Sequence, residues 1–375
     1  MTEKTITFSQ SIRSGVIQTA VSLAIREPWL ALYAVRMARR QRRAEKIRKD
    51  WKARGLQVPL LLITSVTGDC NLRCEGCYAW ELHQSPEPEM NASKLRTILG
   101  EARDLGVSTI LLAGGEPLMR PELLETTWQL PELLFLLFTN GLLIDDSMVE
   151  QLKRQRHIVP IISLDGDAEQ TDARRGPDTY ERLARLMGKM KRSRIFFGTS
   201  LTLTRANVDT VLEREHLSKL ISKGCRVFFF IEYIPAQSDT DDLVLTEDQQ
   251  EEAGVLIERF RRELPALFSA FPRDEYTFGG CLAAGRGFVH INPQGDVEPC
   301  PFTPLSDASL KTLSLREALQ SPFLKEVRQH MGKLPKSGPG CLLWQHRDWL
   351  ASVLESQAGP DGTGSSQSSG GVDSQ

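Results

Sequence analysis

Between Val58 and Leu264, short and almost uninterrupted apolar runs alternate with amphipathic stretches, and this alternation restricts the fold more than any other property of the chain. The runs lie at 60–67 (LLLITSVT), 109–114 (TILLAG), 133–139 (LLFLLFT), 159–164 (VPIISL), 195–203 (IFFGTSLTL) and 227–234 (VFFFIEYI). Helical spacing fills the intervals Ala92–Leu105, Asp145–Arg154, Tyr180–Lys191, Val208–Leu220 and Glu247–Leu264. Strands apolar on both faces need cover on both, which antiparallel hairpins rarely supply and interleaved helices do. The pattern therefore predicts an α/β chain whose parallel strands form a partial (β/α)6 barrel. In parallel barrels functional groups gather at the C-terminal ends of the strands, so each strand exit is a candidate site.

The first exit carries TGDCNLRCEGCYAW, with Cys70, Cys74 and Cys77 spaced C-x3-C-x2-C. Thiolates are the usual ligands of iron–sulfur clusters, and three on one short loop can hold three corners of a [4Fe–4S] cube, leaving the fourth iron open to a small molecule. A zinc knuckle would want a fourth ligand close by and a second C-x2-C-like pair, and none follows. The second exit reads GGEP: Gly114 and Gly115 let backbone approach a ligand closely, and the Glu116 carboxylate suits an ammonium group. Polar residues mark the other exits too: Asn140 in TNG, Ser163 in SLDG, and Glu232 with Tyr233 after the sixth run. In TDARRGPDTY the Arg175 guanidinium offers the planar fork that suits a carboxylate, with Arg174 able to exchange roles with it. Alternation along the fifth run puts Ser200, Thr202 and Thr204 on one face.

The cysteine spacing together with GGEP resembles the radical S-adenosylmethionine (SAM) superfamily over roughly Val58 to Cys341. The resemblance implies that SAM docks on the open iron through its amino and carboxylate groups. An electron from the cluster then cleaves it to methionine and a 5'-deoxyadenosyl radical, which abstracts hydrogen from an unactivated carbon. It implies that Gly114, Gly115 and Glu116 hold the amino group, that Arg175 meets the carboxylate, and that Tyr78 lies at the adenine. Asn140, Ser163, Ser200 and Thr202 are implied around the ribose, the adenosine and the substrate, with Glu232 as a further contact. An electron donor such as ferredoxin or flavodoxin is implied as a partner.

Past Pro272 the alternation stops. FVHINPQGDVEP reads as a β-hairpin turning at Pro293 to Gly295, which would bring Cys281 and Cys300 together, and Cys341 follows a helical stretch, Leu315 to His330. Region 273–355 resembles the SPASM and twitch extensions that carry auxiliary clusters in many superfamily members. It departs from them at Trp344, which stands where a closing C-x2-C would put a cysteine. Three readings stay open. A second [4Fe–4S] cluster has Cys281, Cys300 and Cys341 as ligands, its last iron open or bound by a residue such as His346 or Asp348; Cys225 joins the set; or the thiols are structural.

The ends of the chain differ from its middle. Residues 1–57 form a helical extension in which 8–54 read as two helices meeting at Pro28, and 356–375 are Gly/Ser-rich and expected to be disordered. Between Arg36 and Arg54 ten basic residues face two acids, in a chain of net charge -2. That segment is either a solvated face or an amphipathic element in peripheral contact with an anionic membrane. Arg26, Glu27 and Pro28 interrupt the early apolar run too soon for a membrane span. Seven cysteines, three of them bunched, fit a reducing cytoplasm better than a disulfide framework. There is no signal-peptide pattern and no specific nucleic-acid signal. The substrate expectation is a peptide or small metabolite, with a lipid or isoprenoid at a membrane surface as the alternative; a non-catalytic iron–sulfur or zinc-binding protein is the rival from another class.

Overall fold

A computed structural model describes residues 28–335 and 341–357, so the expected helix before Pro28 and the tail past Gln357 lie outside the described residues. Six strands occupy the predicted runs: β1 (Leu61–Ser65), β2 (Thr109–Ala113), β3 (Leu134–Thr139), β4 (Ile158–Leu164), β5 (Gly198–Leu203) and β6 (Val227–Glu232). Three more follow, β7 (Leu267–Phe271), β8 (Phe288–Ile291) and β9 (Val297–Glu298). All belong to one sheet in the order β7-β6-β5-β4-β3-β2-β1-β8-β9, parallel throughout except for the β8–β9 hairpin. The sheet curls into a half-barrel. The hairpin predicted around Pro293 to Gly295 thus adds to the barrel sheet beside β1, and its turn is closed by Gly295 N–H donating to the Asn292 carbonyl.

The two faces of the sheet are unlike. Leu62, Ile110, Leu112, Phe135, Leu137, Phe228 and Phe230 share a core with the helix residues Leu95, Ile98, Leu99, Leu183 and Met187. Their strand neighbours Leu134, Leu136, Phe138, Ile161 and Phe229 form a separate, smaller cluster that takes in no helix residue and lines the hollow. In β1, β2 and β3 the hollow-facing positions are only half-buried. The expectation of helices on both faces is therefore corrected: helices cover the convex face, and the concave face is left for a site.

Local chemistry sets the helix limits. Asn91, Asp145 and Asp167 each accept a backbone N–H at the start of their helices, and Gly106 ends Ala92–Leu105 in the left-handed region. Two predicted helices are each broken in two. Val208–Val211 and Arg214–Ser222 are separated at Leu212 and Glu213. Leu315–Ala318 and Pro322–His330 are separated where Ser321 caps a new helix whose first residue is Pro322, a position at which the missing proline N–H costs nothing.

The helix Pro28–Ala53 crosses the floor of the barrel, at the strand ends remote from the cysteine loop. Gln41 exchanges hydrogen bonds with Ser108 and Thr109, Arg48 donates to the Gly106 carbonyl at 2.5 Å, and Ile47 packs over Gly106. Arg36, Arg39, Arg42, Arg43, Lys46 and Lys49 remain exposed. Among the described residues no helix is long and apolar enough to cross a membrane.

Candidate active site

The loop after β1 is fixed from both sides before any cysteine is considered. Gly115 N–H donates to the Thr67 carbonyl and Glu116 N–H to the Asp69 carbonyl, each at 2.8 Å. The Glu89 carboxylate accepts from Gly68 N–H and the Thr67 hydroxyl, and Arg120 donates to the Val66 carbonyl. GGEP has a packing role here: a Cβ on Gly115 would stand 2.1 Å from the Asp69 carbonyl oxygen, and one on Gly114 2.3 Å from that of Thr67. Gly115→Ala must push the two loops apart, at a cost of roughly 1–3 kcal/mol typical of overpacking. The expected outcome is a lower Tm together with reduced iron content after reconstitution.

On this frame Cys70, Cys74 and Cys77 are half-buried free thiols. Leu72 N–H and the Asn140 amide reach Cys70 Sγ at 3.4 and 3.9 Å, the kind of contact that tunes iron–sulfur centres. Burial pushes the Cys70 thiol up to about 11 and raises Cys74, whose anion Arg175 and then Arg174 favour. Both guanidiniums are anchored on Asp165, which is 1% exposed, at 2.6 Å from Arg174 and 2.5 Å from Arg175. Arg174 also donates to the Glu75 carbonyl, leaving Arg175 the more buried of the two. Strong coupling to the two cations holds the Asp165 carboxyl below its ordinary range despite a burial that alone would raise it. Three thiols on one rigid loop, with amide donors and two cations beside them, are a donor set that fits a [4Fe–4S] cluster.

The other expected contacts are placed as follows. Glu116 is 1% exposed, and its carboxylate accepts from the Thr139 hydroxyl, Asn140 N–H and Leu118 N–H, so it ties the second and third exits together. Asn140 donates to Asn71 at 2.7 Å and so closes the third exit onto the cysteine loop. Ser200 lies 3.4 Å from Ser163, oxygen to oxygen, and Thr202 is two residues along the same face. Tyr78 packs its ring on Phe302 at 4.8 Å, with its phenol near both Cys77 and Cys300. Glu232 is half-buried, and its charge reaches Cys341. It is the next residue, Tyr233, whose hydroxyl lies against Gly76 of the cysteine loop, leaving no room there for a Cβ. Gln237 completes that contact by accepting Gly76 N–H at 3.1 Å.

The thiols of the C-terminal region are also brought together. Cys281, Cys300 and Cys341 are all buried; Cys281 feels the charge of both others, Cys300 feels that of Cys341, and all three feel that of Glu275. Burial pushes Cys341 up to about 12 and raises Cys281 and Cys300 well above the ordinary thiol range. Cys225 is buried elsewhere with Arg226 as its charged neighbour, His346 bonds the Pro335 carbonyl, and Asp348 is exposed. None of these three joins the group. Sequence reasoning missed Glu275, which is 6% exposed and hydrogen-bonded to the Cys281 thiol; no spacing rule points to it, because it follows an unrecognised strand.

Behind Tyr78 a buried chain runs from Ser65 to His290 Nε2 at 2.8 Å and from His290 Nδ1 to Glu298 at 2.6 Å, with Asn292 donating to Glu298. His83, whose ring centroid lies 5.0 Å from that of His290 at an interplanar angle of 57°, bonds the Pro301 carbonyl. The donor atoms of His83, His290 and Glu298 lie within 4.8 Å of one another, but the 2.6 Å contact is a hydrogen bond, shorter than the roughly 3 Å or more between two ligands of one ion. Burial lowers His83 to about 4 and His290 to about 3 and raises Glu298 to about 8. Between about pH 7 and 8 both imidazoles are mostly neutral folded or unfolded, whereas Glu298 holds a proton that the unfolded chain has released. Stability therefore falls as pH rises through this window, by at most about 1.4 kcal/mol per pH unit. Glu298→Gln is expected to flatten this part of a Tm-against-pH curve.

Comparison with known proteins agrees with this architecture. Residues 64–221 match the family described as the radical SAM superfamily. The AdoMet-dependent heme synthase of Nitratidesulfovibrio vulgaris is 26% identical over 309 residues, covering 74% of this chain and 84% of that protein. Mycofactocin maturase MftC of Mycolicibacterium smegmatis is 26% identical over 320 residues, covering 81% and 75%. In fold the chain is similar to Streptococcus suis SuiB bound to precursor peptide SuiA (TM-score 0.59, 19% identity, 76% of this chain and 71% of that one). It is also similar to anSMEcpe with bound AdoMet and the Cp18Cys peptide (TM-score 0.60, 16% identity, 80% and 97%). A parallel half-barrel whose residues 64–221 match the radical SAM superfamily defines the class: the chain carries a radical SAM domain. It is an enzyme of the kind that uses a [4Fe–4S] cluster and SAM.

Proposed function

We propose that Cys70, Cys74 and Cys77 hold the [4Fe–4S] cluster, that SAM binds beside it at the mouth of the half-barrel, and that the substrate is a peptide or small metabolite. The observation that carries this reading is the convergence of four other strand exits on the loop after β1: Gly115 and Glu116, Asn140, Arg174 and Arg175, Tyr233 and Gln237 all reach residues 67–77 or the thiols on them. When bound, the cluster and SAM supply a 5'-deoxyadenosyl radical able to take hydrogen from an unactivated carbon. The chain's own residues fix the loop, set its charge and exclude water. Arg175 is suited to an anionic carboxylate because its burial strengthens a charged hydrogen bond. Ser163, Ser200 and Thr202 offer hydroxyls to a ribose or a polar substrate on the concave face, whose floor is the apolar cluster around Leu136, Phe138 and Phe229.

The substrate class rests on relatives, among which are a heme synthase and a maturase, and on the fold neighbour SuiB with its precursor peptide. The second thiol group, Cys281, Cys300 and Cys341, holds an auxiliary cluster in this reading, and a ferredoxin or flavodoxin supplies electrons. The test is the electron paramagnetic resonance spectrum of the anaerobically reconstituted, dithionite-reduced protein, which is expected to change on addition of SAM. A spectrum insensitive to SAM would sink the assignment of the loop.

A further inference from the structure

The second thiol group has a carboxylate built into it. Cys281, Cys300 and Cys341 come from three separate segments: the turn before β8, the residue two places past β9, and the start of the helix Leu342–Gln345. Glu275 comes from a fourth, the turn Arg273–Phe278 that follows β7. Its carboxylate accepts Leu282 N–H at 3.3 Å and bonds the Cys281 thiol. With Cys281, Pro272, Gly279, Met331 and Leu342 it lines a cavity of about 190 Å³, and Leu342 is the residue next to Cys341.

Other acids near the group reach only part of it. Glu298 is felt by Cys300 and Glu232 by Cys341, whereas the charge of Glu275 is felt by all three thiols. The nearest cation does not claim this carboxylate: Arg286 donates to the Cys281 and Gly279 carbonyls. Buried carboxylates are paired or coordinate metals, because an isolated buried charge is costly. Iron accepts carboxylate oxygen as well as thiolate sulfur. Trp344, at the position where a fourth cysteine would stand, has no atom able to ligate iron.

We propose that Glu275 is the fourth protein ligand of an iron–sulfur cluster held by Cys281, Cys300 and Cys341, so that this cluster presents no open iron to substrate. The inference rests on the reading that these thiols hold a cluster. Closure of the last corner confines substrate to the concave face of the half-barrel.

The experiment uses the full chain with Cys70, Cys74 and Cys77 all changed to alanine, reconstituted anaerobically so that only the second cluster is seen. Iron analysis is expected to give about four irons per chain, and the reduced signal is expected to ignore added cyanide. Mössbauer spectra should show one iron in four distinct from the rest. Glu275→Cys is expected to keep the iron and make the four sites alike, and Glu275→Ala to expose an iron to which cyanide binds, with a changed signal. The Glu275→Cys variant keeps the test decisive if the alanine variant does not fold. Iron present with cyanide already binding the Glu275 form, or with spectra unchanged in Glu275→Cys, overturns the ligand assignment alone. No iron in the triple variant, where the unchanged chain holds about four, overturns the auxiliary cluster itself and the ligand with it.

Discussion

Changing Cys74 to alanine is expected to abolish SAM cleavage while leaving the fold intact, and the same holds for Cys70 and Cys77. The three thiols differ from Cys225, which is wholly buried among apolar residues; they are half-exposed on a loop whose conformation is fixed by other groups. Those groups are the Thr67 and Asp69 carbonyls, Gly115, Glu116, Glu89 and Arg120. None of the loop's supporting hydrogen bonds from the second exit involves a sulfur, so removing one leaves that frame in place; at Cys70 the long contacts from Leu72 N–H and the Asn140 amide are lost, while Asn140 keeps its bond to Asn71. Iron content is expected to drop by about four per chain, with 5'-deoxyadenosine formation below detection and the far-UV circular dichroism unchanged. A variant that keeps its iron and its activity would show that the sulfur is structural.

The second large effect is at Asp165. Its carboxylate is 1% exposed and holds two guanidiniums, while its carbonyl accepts the Asn207 amide. Asp165→Ala strands Arg174 and Arg175 without their anion, and removing one partner of a buried ion pair typically costs about 3–5 kcal/mol. The loss is expected in denaturant unfolding of the metal-free protein. Asp165→Asn keeps the shape and one acceptor but leaves the same charge imbalance, so most of the loss should persist. Arg174 also supports the Glu75 carbonyl within the cysteine loop, so both variants should reconstitute poorly.

The six strands and their exits were legible because each strand is an apolar run bounded by turn residues, and the period of the pattern does not depend on distant contacts. β7 was not. Leu267–Phe271 contains Ser269 and follows the preceding helix after only three residues, so it does not stand out as a further apolar run. Missing it hid Glu275, whose position depends on where β7 stops. The two helices that proved broken show the reverse error: apolar spacing continued across Leu212 and across Ser321–Pro322, and the cap and proline signals were outweighed by periodicity. GGEP was found for its chemistry, yet its glycines are required by the close approach of the Thr67 and Asp69 carbonyls. Contacts of that kind, between exits distant in sequence, are set by the curl of the sheet and leave no local pattern to read.

With the cluster on the loop at the first strand exit, this chain is expected to cleave SAM. The most direct measurement is the formation of 5'-deoxyadenosine by the anaerobically reconstituted, reduced protein supplied with SAM, beside the Cys70, Cys74 and Cys77 triple alanine variant. Product from the unchanged chain and none from the variant is the predicted result. No product from a chain that carries its full iron, or equal product from both, would show that the Cys70, Cys74 and Cys77 loop does not cleave SAM.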